Sequence, residues 1–473
     1  MLDERTIGAI VEEVLKKLKD EGISGPTDTR LSETGIFTSV EGAVDAAEKA
    51  QVELAGLPLE TRRKIVGAMR SAACDRAKEL SQLALDETAL GRYEDKVSKN
   101  LLVATRTPGI EDLGADAVSG DHGLTITERA PYGLICSITP STNPSETIIN
   151  NAIGMVAGGN SVVFNPHPSA RRTSMRTIEI LNSAIAAEGG PRNVLAAVAE
   201  PTIETAQTLM KHPKVKLLVV TGGGAVVREA MNSGKKVIAA GPGNPPVVVD
   251  ETADLDRAGR DIVDGASLDN NIVCICEKEV FCVDSAMDDL KAAMCRNGAV
   301  EIKGRDIDKL ESLIIKENKG PNKHAVTKRE YVGKDAGFLL SEIGVKSPGE
   351  ARLIICETPS SHPFVWTELL MPVLAMVRMP CVDDAIKLAR QAEHGFGHSA
   401  MMHSTNIAKL SEMARYIQTT IFVKNGPCYA GLGFGGEGYT SFTIASPTGE
   451  GLTSARTFTR MRRCVLVDYF RIV

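Results

Sequence analysis

Gly133-Leu134-Ile135-Cys136-Ser137-Ile138-Thr139-Pro140-Ser141-Thr142-Asn143-Pro144-Ser145-Glu146 is an apolar, strand-like run that breaks at a Pro-bounded polar turn and resumes as a helix. The spacing predicts a strand over 133–139 and a helix from about 145 to 157. The alternation continues in both directions. Downstream come strand 161–164, a helix near 171–188, strand 194–197, a helix near 204–211, strand 215–221, a glycine turn and helix 225–233. Upstream, 43–54 and 61–88 read as helices and 124–128 as a strand. Such alternation predicts a parallel sheet covered by helices on both faces, a dinucleotide-type architecture. A second α/β block runs from strand 246–249 through strand 279–283 and helix 383–393 to strand 420–423. Residues 463–473 alternate like an edge strand that needs a partner. They and 123–128 are expected to pair across a subunit boundary.

With 473 residues, 43% hydrophobic and 24% charged, the chain has the composition of an ordinary globular protein of two to three domains. No apolar run approaches the roughly 18 residues that span a bilayer, so no membrane partner is expected. A net charge of -6 and the absence of long Lys/Arg runs argue against nucleic-acid binding. The ten cysteines lack the dense spacing of a secreted scaffold and are expected to be reduced thiols in a cytosolic setting. Cys274, Cys276 and Cys282 have no C-x-x-C pair or His spacing, so no metal site is expected. Ile7, Ile10, Val11, Val14, Leu15 and Leu18 mark an amphipathic helix over 1–20, followed by a linker over 21–35. A tethered helix of this kind reads as a docking peptide.

Three stretches carry chemistry. Cys274, in Asn270-Asn271-Ile272-Val273-Cys274-Ile275-Cys276-Glu277-Lys278, is a thiol in a strand-like stretch just ahead of strand 279–283. Thr221-Gly222-Gly223-Gly224 joins a strand to a helix, where backbone N–H groups and the positive helix end can approach a phosphate; an ordinary tight turn fits as well. Pro140–Pro144 closes a strand at its carboxyl end, where open parallel sheets bind ligands, so Thr142 or Asn143 could donate to a developing oxyanion or simply cap the helix.

Ile138–Pro144, Val220–Gly223, Ala239-Ala240-Gly241-Pro242-Gly243-Asn244-Pro245, Asn270–Cys274 and Glu368-Leu369-Leu370-Met371-Pro372-Val373 occur in the order of the aldehyde dehydrogenase motifs, from about Ile36 onwards. Phe422–Cys428, Pro447–Arg456 and Arg462–Asp468 resemble more closely the CoA-acylating enzymes of bacterial microcompartments: the ethanolamine-utilisation acetaldehyde dehydrogenases, with the propionaldehyde enzymes of propanediol utilisation as near relatives. The resemblance implies the aldehyde dehydrogenase fold, with a Rossmann-like NAD-binding domain at 36–245 that includes oligomerisation strands near 120–138. It further implies an α/β catalytic domain at 246–435 carrying Cys274, and a return to the first elements over 436–473.

By the same resemblance Cys274 is the nucleophile, with Thr142 and Asn143 as catalytic candidates for the oxyanion. The family's oxyanion asparagine aligns more naturally with Thr142 than with Asn143, which leaves much of that role to the Cys274 backbone N–H. Thr139, Pro140, Asn165, His167, Thr221, Gly222, Gly223, Ala240, Gly241 and Glu368 match cofactor-binding positions, with Glu368 accepting ribose hydroxyls and Asn165 replacing a lysine. The glutamate that activates water in hydrolytic relatives is Ala239 here, which favours CoA over water as acyl acceptor. Expected are NAD, CoA and a short-chain aldehyde, a homodimer or dimer of dimers, and a shell partner for the N-terminal helix inside a microcompartment of the bacterial cytoplasm. The alternatives are propionaldehyde or another short-chain aldehyde as main substrate, a hydrolytic enzyme releasing the free acid, and an inactive structural protein associated with the shell. His398 and His403 are read as satisfied core groups, and Glu277 and Lys278 as solvated strand-end charges.

Overall fold

A computed structural model describes residues 34–347 and 349–473; the helix expected over 1–20 and the linker up to residue 33 lie outside them. Two all-parallel sheets organise the described chain. The first has six strands in the order Ile36–Phe37, Leu195–Val198, Ser161–Pro166, Leu134–Thr139, Val215–Thr221 and Lys236–Ala240. The second has seven: Ala299–Glu301, Leu353–Glu357, Val373–Met379, Glu279–Val283, Pro246–Val249, Ser399–His403 and Ile421–Lys424. Their central strands are continuous apolar runs because helices cover both faces, leaving no solvent side for polar residues to occupy.

Strand order in the first sheet sets the site. From Leu134–Thr139 the chain winds outward through Ser161–Pro166 and Leu195–Val198, then crosses back to Val215–Thr221 on the other side. The carboxyl ends of Leu134–Thr139 and Val215–Thr221 therefore flank a topological switch point, the crevice where open α/β sheets take ligands. The buried helix Pro144–Ala157 leaves that crevice with proline in its first turn, where a missing N–H costs nothing. It packs against helices Leu59–Asp75, Tyr93–Arg106 and Arg171–Ala187.

The chain's last strand differs from expectation. It spans Thr459–Val467 and pairs antiparallel along its length with Gly123–Pro131 of the same chain, which also holds Asp116–Gly120. Residues 468–473 form no strand. The two stretches expected to seek partners on another subunit thus satisfy each other, although Val118, Met461, Val465 and Val467 stay exposed.

Asn160 ties this small sheet to the large one. Its Oδ1 accepts from the Tyr132 and Gly133 amides at 2.8 and 3.1 Å, while its Nδ2 donates to the Met155 and Phe458 carbonyls at 3.1 and 2.9 Å. At about 1 kcal/mol net per bond, more where a buried partner is orphaned, Asn160→Ala should cost roughly 2–4 kcal/mol. A urea unfolding midpoint that does not move would show that water takes over the amide's bonds.

Candidate active site

After the helix Leu255–Ala266 the chain makes a short 3-10 turn, Leu268–Asn271, and then runs irregularly to the strand Glu279–Val283. Cys274 lies in this turn-rich loop rather than in a strand-like stretch. Asp269, Asn270 and Asn271 have φ of +48°, +54° and +66°. Left-handed conformation costs non-glycine residues about 1 kcal/mol or more each, and periodicity cannot show it. Short polar side chains that bond the backbone make it tolerable. Asn270 Nδ2 donates to Gly333 O and Asp335 Oδ1, both at 2.9 Å, and Asn271 Nδ2 donates to Ala266 O at 2.7 Å and Glu277 O at 2.9 Å.

Asp269 anchors the loop. Its Oδ1 accepts from the Arg92 amide at 2.6 Å, and its Oδ2 accepts from Lys96 Nζ at 3.0 Å and Lys99 Nζ at 2.6 Å. Lys99 also reaches Asn143 Oδ1 at 2.5 Å and Glu146 Oε1 at 3.1 Å. All four charged groups are buried. Burial alone would raise the Asp269 pKa, but Lys99 and Lys96 hold it below the usual carboxylate range. Burial also opposes the charge on Lys99, and Asp269 and Glu146 overcome it, keeping that ammonium above its ordinary value. Gly91, at φ +78°, admits the carboxylate: a Cβ there would lie 1.9 Å from Asp269 Oδ1.

Two adjoining cavities meet at Pro140, Thr221, Gly222 and Gly223. The larger, about 620 Å³, lies at the switch point and takes in Thr139, Asn165 and His167 of the expected cofactor residues. The smaller, about 210 Å³, brings together Thr142, Asn143, Gly241, Cys274 and Glu368. Ala240 lines neither; it sits behind the wall, where its carbonyl accepts from the Gly222 amide at 3.2 Å. The larger cavity fits a polar cofactor, for Thr139 Oγ1 is buried in its wall without a partner. Asn165 is already engaged by Thr205 Oγ1 at 2.7 Å and Thr202 O at 3.4 Å. Burial, and then Arg329, lower the His167 pKa. Arg329, which sequence reasoning missed, is the lining residue of the larger cavity with a permanent positive charge.

Cys274 is half-buried in the smaller cavity, whereas Cys276 is fully buried in the core with its thiol 3.8 Å from the Leu268 carbonyl. All ten cysteines are free thiols. Burial, reinforced by the Glu368 carboxylate, pushes the Cys274 thiol up to about 12, while Lys278 and its own backbone N–H pull the other way.

Lys278 and Glu277 are not the solvated charges expected. Lys278 is buried and donates to Asn271 O at 2.9 Å, Asn271 Oδ1 at 2.6 Å and Val273 O at 3.4 Å, so it clamps the loop and presents a cation to the thiol. Glu277 is fully buried and accepts from the Cys428 amide at 2.8 Å. His398 and His403 are buried as expected, but each keeps an unpartnered Nε2, and burial lowers both to about 4.

Glu368 Oε1 accepts weakly from the Gly243 amide at 3.4 Å and is the carboxylate in the wall around the thiol. Ala239 is instead fully buried in the apolar cluster that also holds Val220, Val227 and Val237. The wall around Cys274 therefore combines a thiol, amide groups and one carboxylate, adjoins the larger cleft, and holds no lysine or histidine of its own.

The aldehyde dehydrogenase family model matches residues 36–453. The chain belongs to the aldehyde dehydrogenase family. It is 51% identical to acetaldehyde dehydrogenase (acetylating) EutE of Salmonella typhimurium over the full length of both chains. A solved Rhodopseudomonas palustris propionaldehyde dehydrogenase with bound CoA and an acylated cysteine superposes with a TM-score of 0.89 at 49% identity, covering 92% of this chain and 98% of that one. A propionaldehyde dehydrogenase from the Clostridium phytofermentans fucose utilisation bacterial microcompartment gives 0.90 at 46% identity, covering 93% and 100%.

With the thiol pushed up to about 12, the thiolate fraction of the free enzyme grows tenfold per pH unit throughout the working range. Iodoacetamide alkylation of Cys274 should therefore rise about 100-fold between pH 7 and 9 without levelling off. A plateau below pH 9 would show that the thiol is not raised.

Proposed function

We propose that the protein is a CoA-acylating aldehyde dehydrogenase that converts acetaldehyde, NAD and CoA to acetyl-CoA and NADH, reversibly. The observation that carries this reading is a cysteine facing the cofactor crevice in a cavity with no glutamate at the water-activating position. NAD, when bound, accepts the hydride that leaves the aldehyde carbon. The Cys274 sulfur attacks that carbon, and the alkoxide that forms is met by N–H donors of Asn143 and of the Cys274 backbone. The first turn of helix Pro144–Ala157, whose positive end begins at this wall, favours the same negative charge. Loss of hydride leaves a thioester on Cys274. A CoA thiolate then attacks the thioester carbon, the Cys274 sulfur departs, and acetyl-CoA is released.

Burial keeps the resting thiol protonated, so its proton must leave as the sulfur attacks, and Lys278 favours that ionisation. In this reading Glu368 accepts the cofactor's ribose hydroxyls, supported by its place in the wall beside Cys274, and Thr139, Pro140, Asn165, His167, Thr221, Gly222, Gly223 and Gly241 line the rest of the cleft. Ala240 contributes from behind through its bond to Gly222.

Self-association as a homodimer or dimer of dimers is supported by the exposed apolar Val118, Met461, Val465 and Val467 on the three-stranded sheet. Residence in a protein-shelled microcompartment of the bacterial cytoplasm is supported by the microcompartment relative and by the amphipathic pattern of residues 1–20, which would dock on a shell protein.

With acetaldehyde and NAD, NADH formation should depend on CoA and yield acetyl-CoA, and Cys274→Ala should lower turnover by more than about a thousandfold. Stoichiometric acetate in the absence of CoA would instead establish a hydrolytic enzyme. Glu368→Gln should raise KM for NAD about tenfold or more, as expected for losing hydrogen bonds to a charged group, with little change in kcat. A kcat collapse with unchanged KM would make Glu368 an acid–base group.

A further inference from the structure

Lys99 sits where a charge is hardest to justify. It is buried, reaches neither cavity wall, and lies on the helix Tyr93–Arg106, outside every motif that carries the family likeness. Its ammonium donates to Asn143 Oδ1 at 2.5 Å and Asp269 Oδ2 at 2.6 Å, and forms an ion pair with Glu146 Oε1 at 3.1 Å. Lys96, one turn away, bonds Asp269 alone among these acceptors. Lys99 is thus the group that joins the Asn143 corner of the first sheet to the base of the nucleophile loop.

We propose that Lys99 is a positioning residue for the acyl-transfer chemistry: it fixes which end of the Asn143 amide faces the Cys274 cavity and holds that amide in register with the nucleophile loop through Asp269. The inference rests on the role given above to Cys274. A primary amide can turn either end to a neighbour, but only its oxygen can accept from an ammonium. With the oxygen committed to Lys99, the NH2 group is left on the cavity side, near Thr142 Oγ1 at 3.3 Å. Turned the other way, Asn143 would present a carbonyl oxygen to the alkoxide and oppose the reaction it now assists. Lys99 therefore determines the sign of the field that the substrate oxygen meets, without touching substrate. Its bond to Asp269 ties the position of that donor to the left-handed turn that sets Cys274.

The test compares wild type, Lys99→Met, Asn143→Ala and the double variant, measuring kcat and KM for acetaldehyde beside the rate of Cys274 alkylation by iodoacetamide. Alkylation is displacement at a saturated carbon and develops no oxyanion, so it reports loop geometry without the Asn143 contribution. Lys99→Met should lower kcat about 100-fold, the lower end of what loss of an oxyanion donor costs, while alkylation stays within about twofold. Added to Asn143→Ala it should cost little more, because both changes remove the same donor. Lys99→Met/Glu146→Gln leaves Lys96 opposite Asp269 with no unpaired charge, and carries the same comparison where the single variant is unstable. Alkylation falling in step with kcat, full additivity with Asn143→Ala, or an unchanged kcat would each overturn the proposal. Absence of CoA-dependent turnover in wild type would sink the functional reading itself, whereas active wild type with indifferent Lys99 variants would sink this inference alone.

Discussion

The paired charges of Lys96 and Lys99 against Asp269 and Glu146 are the constraint on which the site depends. Each ion alone would be costly in so dry a position, and removing one partner of a buried pair typically costs about 3–5 kcal/mol because the other is left uncompensated. Together they form a neutral set in which Asp269 also collects a backbone amide from Arg92. That set opposes the cost of three successive left-handed residues ahead of Cys274. Such a cluster adds little net stability over a well-packed apolar core; its effect is to leave the loop one arrangement in which its bonds are all made.

The architecture was legible because it is written in period and punctuation. Strands Val215–Thr221, Pro246–Val249 and Glu279–Val283 have the bounds their apolar runs predict, and the Pro-bounded turn after Thr139 lies at the ligand crevice that its place in the alternation implies. The site was legible where a residue's chemistry is rare for its context, as with the thiol at Cys274. It was opaque where function depends on burial of ordinary charges. Nothing in the helical pattern of residues 93–106 distinguishes Lys96 and Lys99 from solvated lysines, and Lys278 was misread for the same reason. Their partners lie far along the chain or in backbone carbonyls, which carry no sequence signal. The left-handed turn escaped notice because Asp and Asn are also common in unstrained loops. The last strand was displaced by a few residues because alternation persists past Val467, where the chain no longer has a partner to pair with.

The thiol and the missing carboxylate form a second theme. Hydrolysis needs a base close enough to take a proton from water, whereas a thiol brings a more acidic proton and a softer nucleophile. In this cavity the carboxylate of the wall is Glu368, and Ala239 is buried in an apolar cluster away from it. On the proposed function the acyl group goes to CoA because residue 239 carries no carboxylate to activate water.

The contacts that set the nucleophile loop join residues 173 and 170 positions apart in the chain. Contacts of such separation close large loops and come late in folding. Until residue 269 has been synthesised and docked, Lys96 lacks its carboxylate partner and Lys99 has only Glu146 of the two that face it. The helical half of the molecule therefore stays incomplete on its own. A chain that stops short of residue 269 lacks Cys274 as well, so one segment completes both the charge cluster and the cavity that holds the thiol.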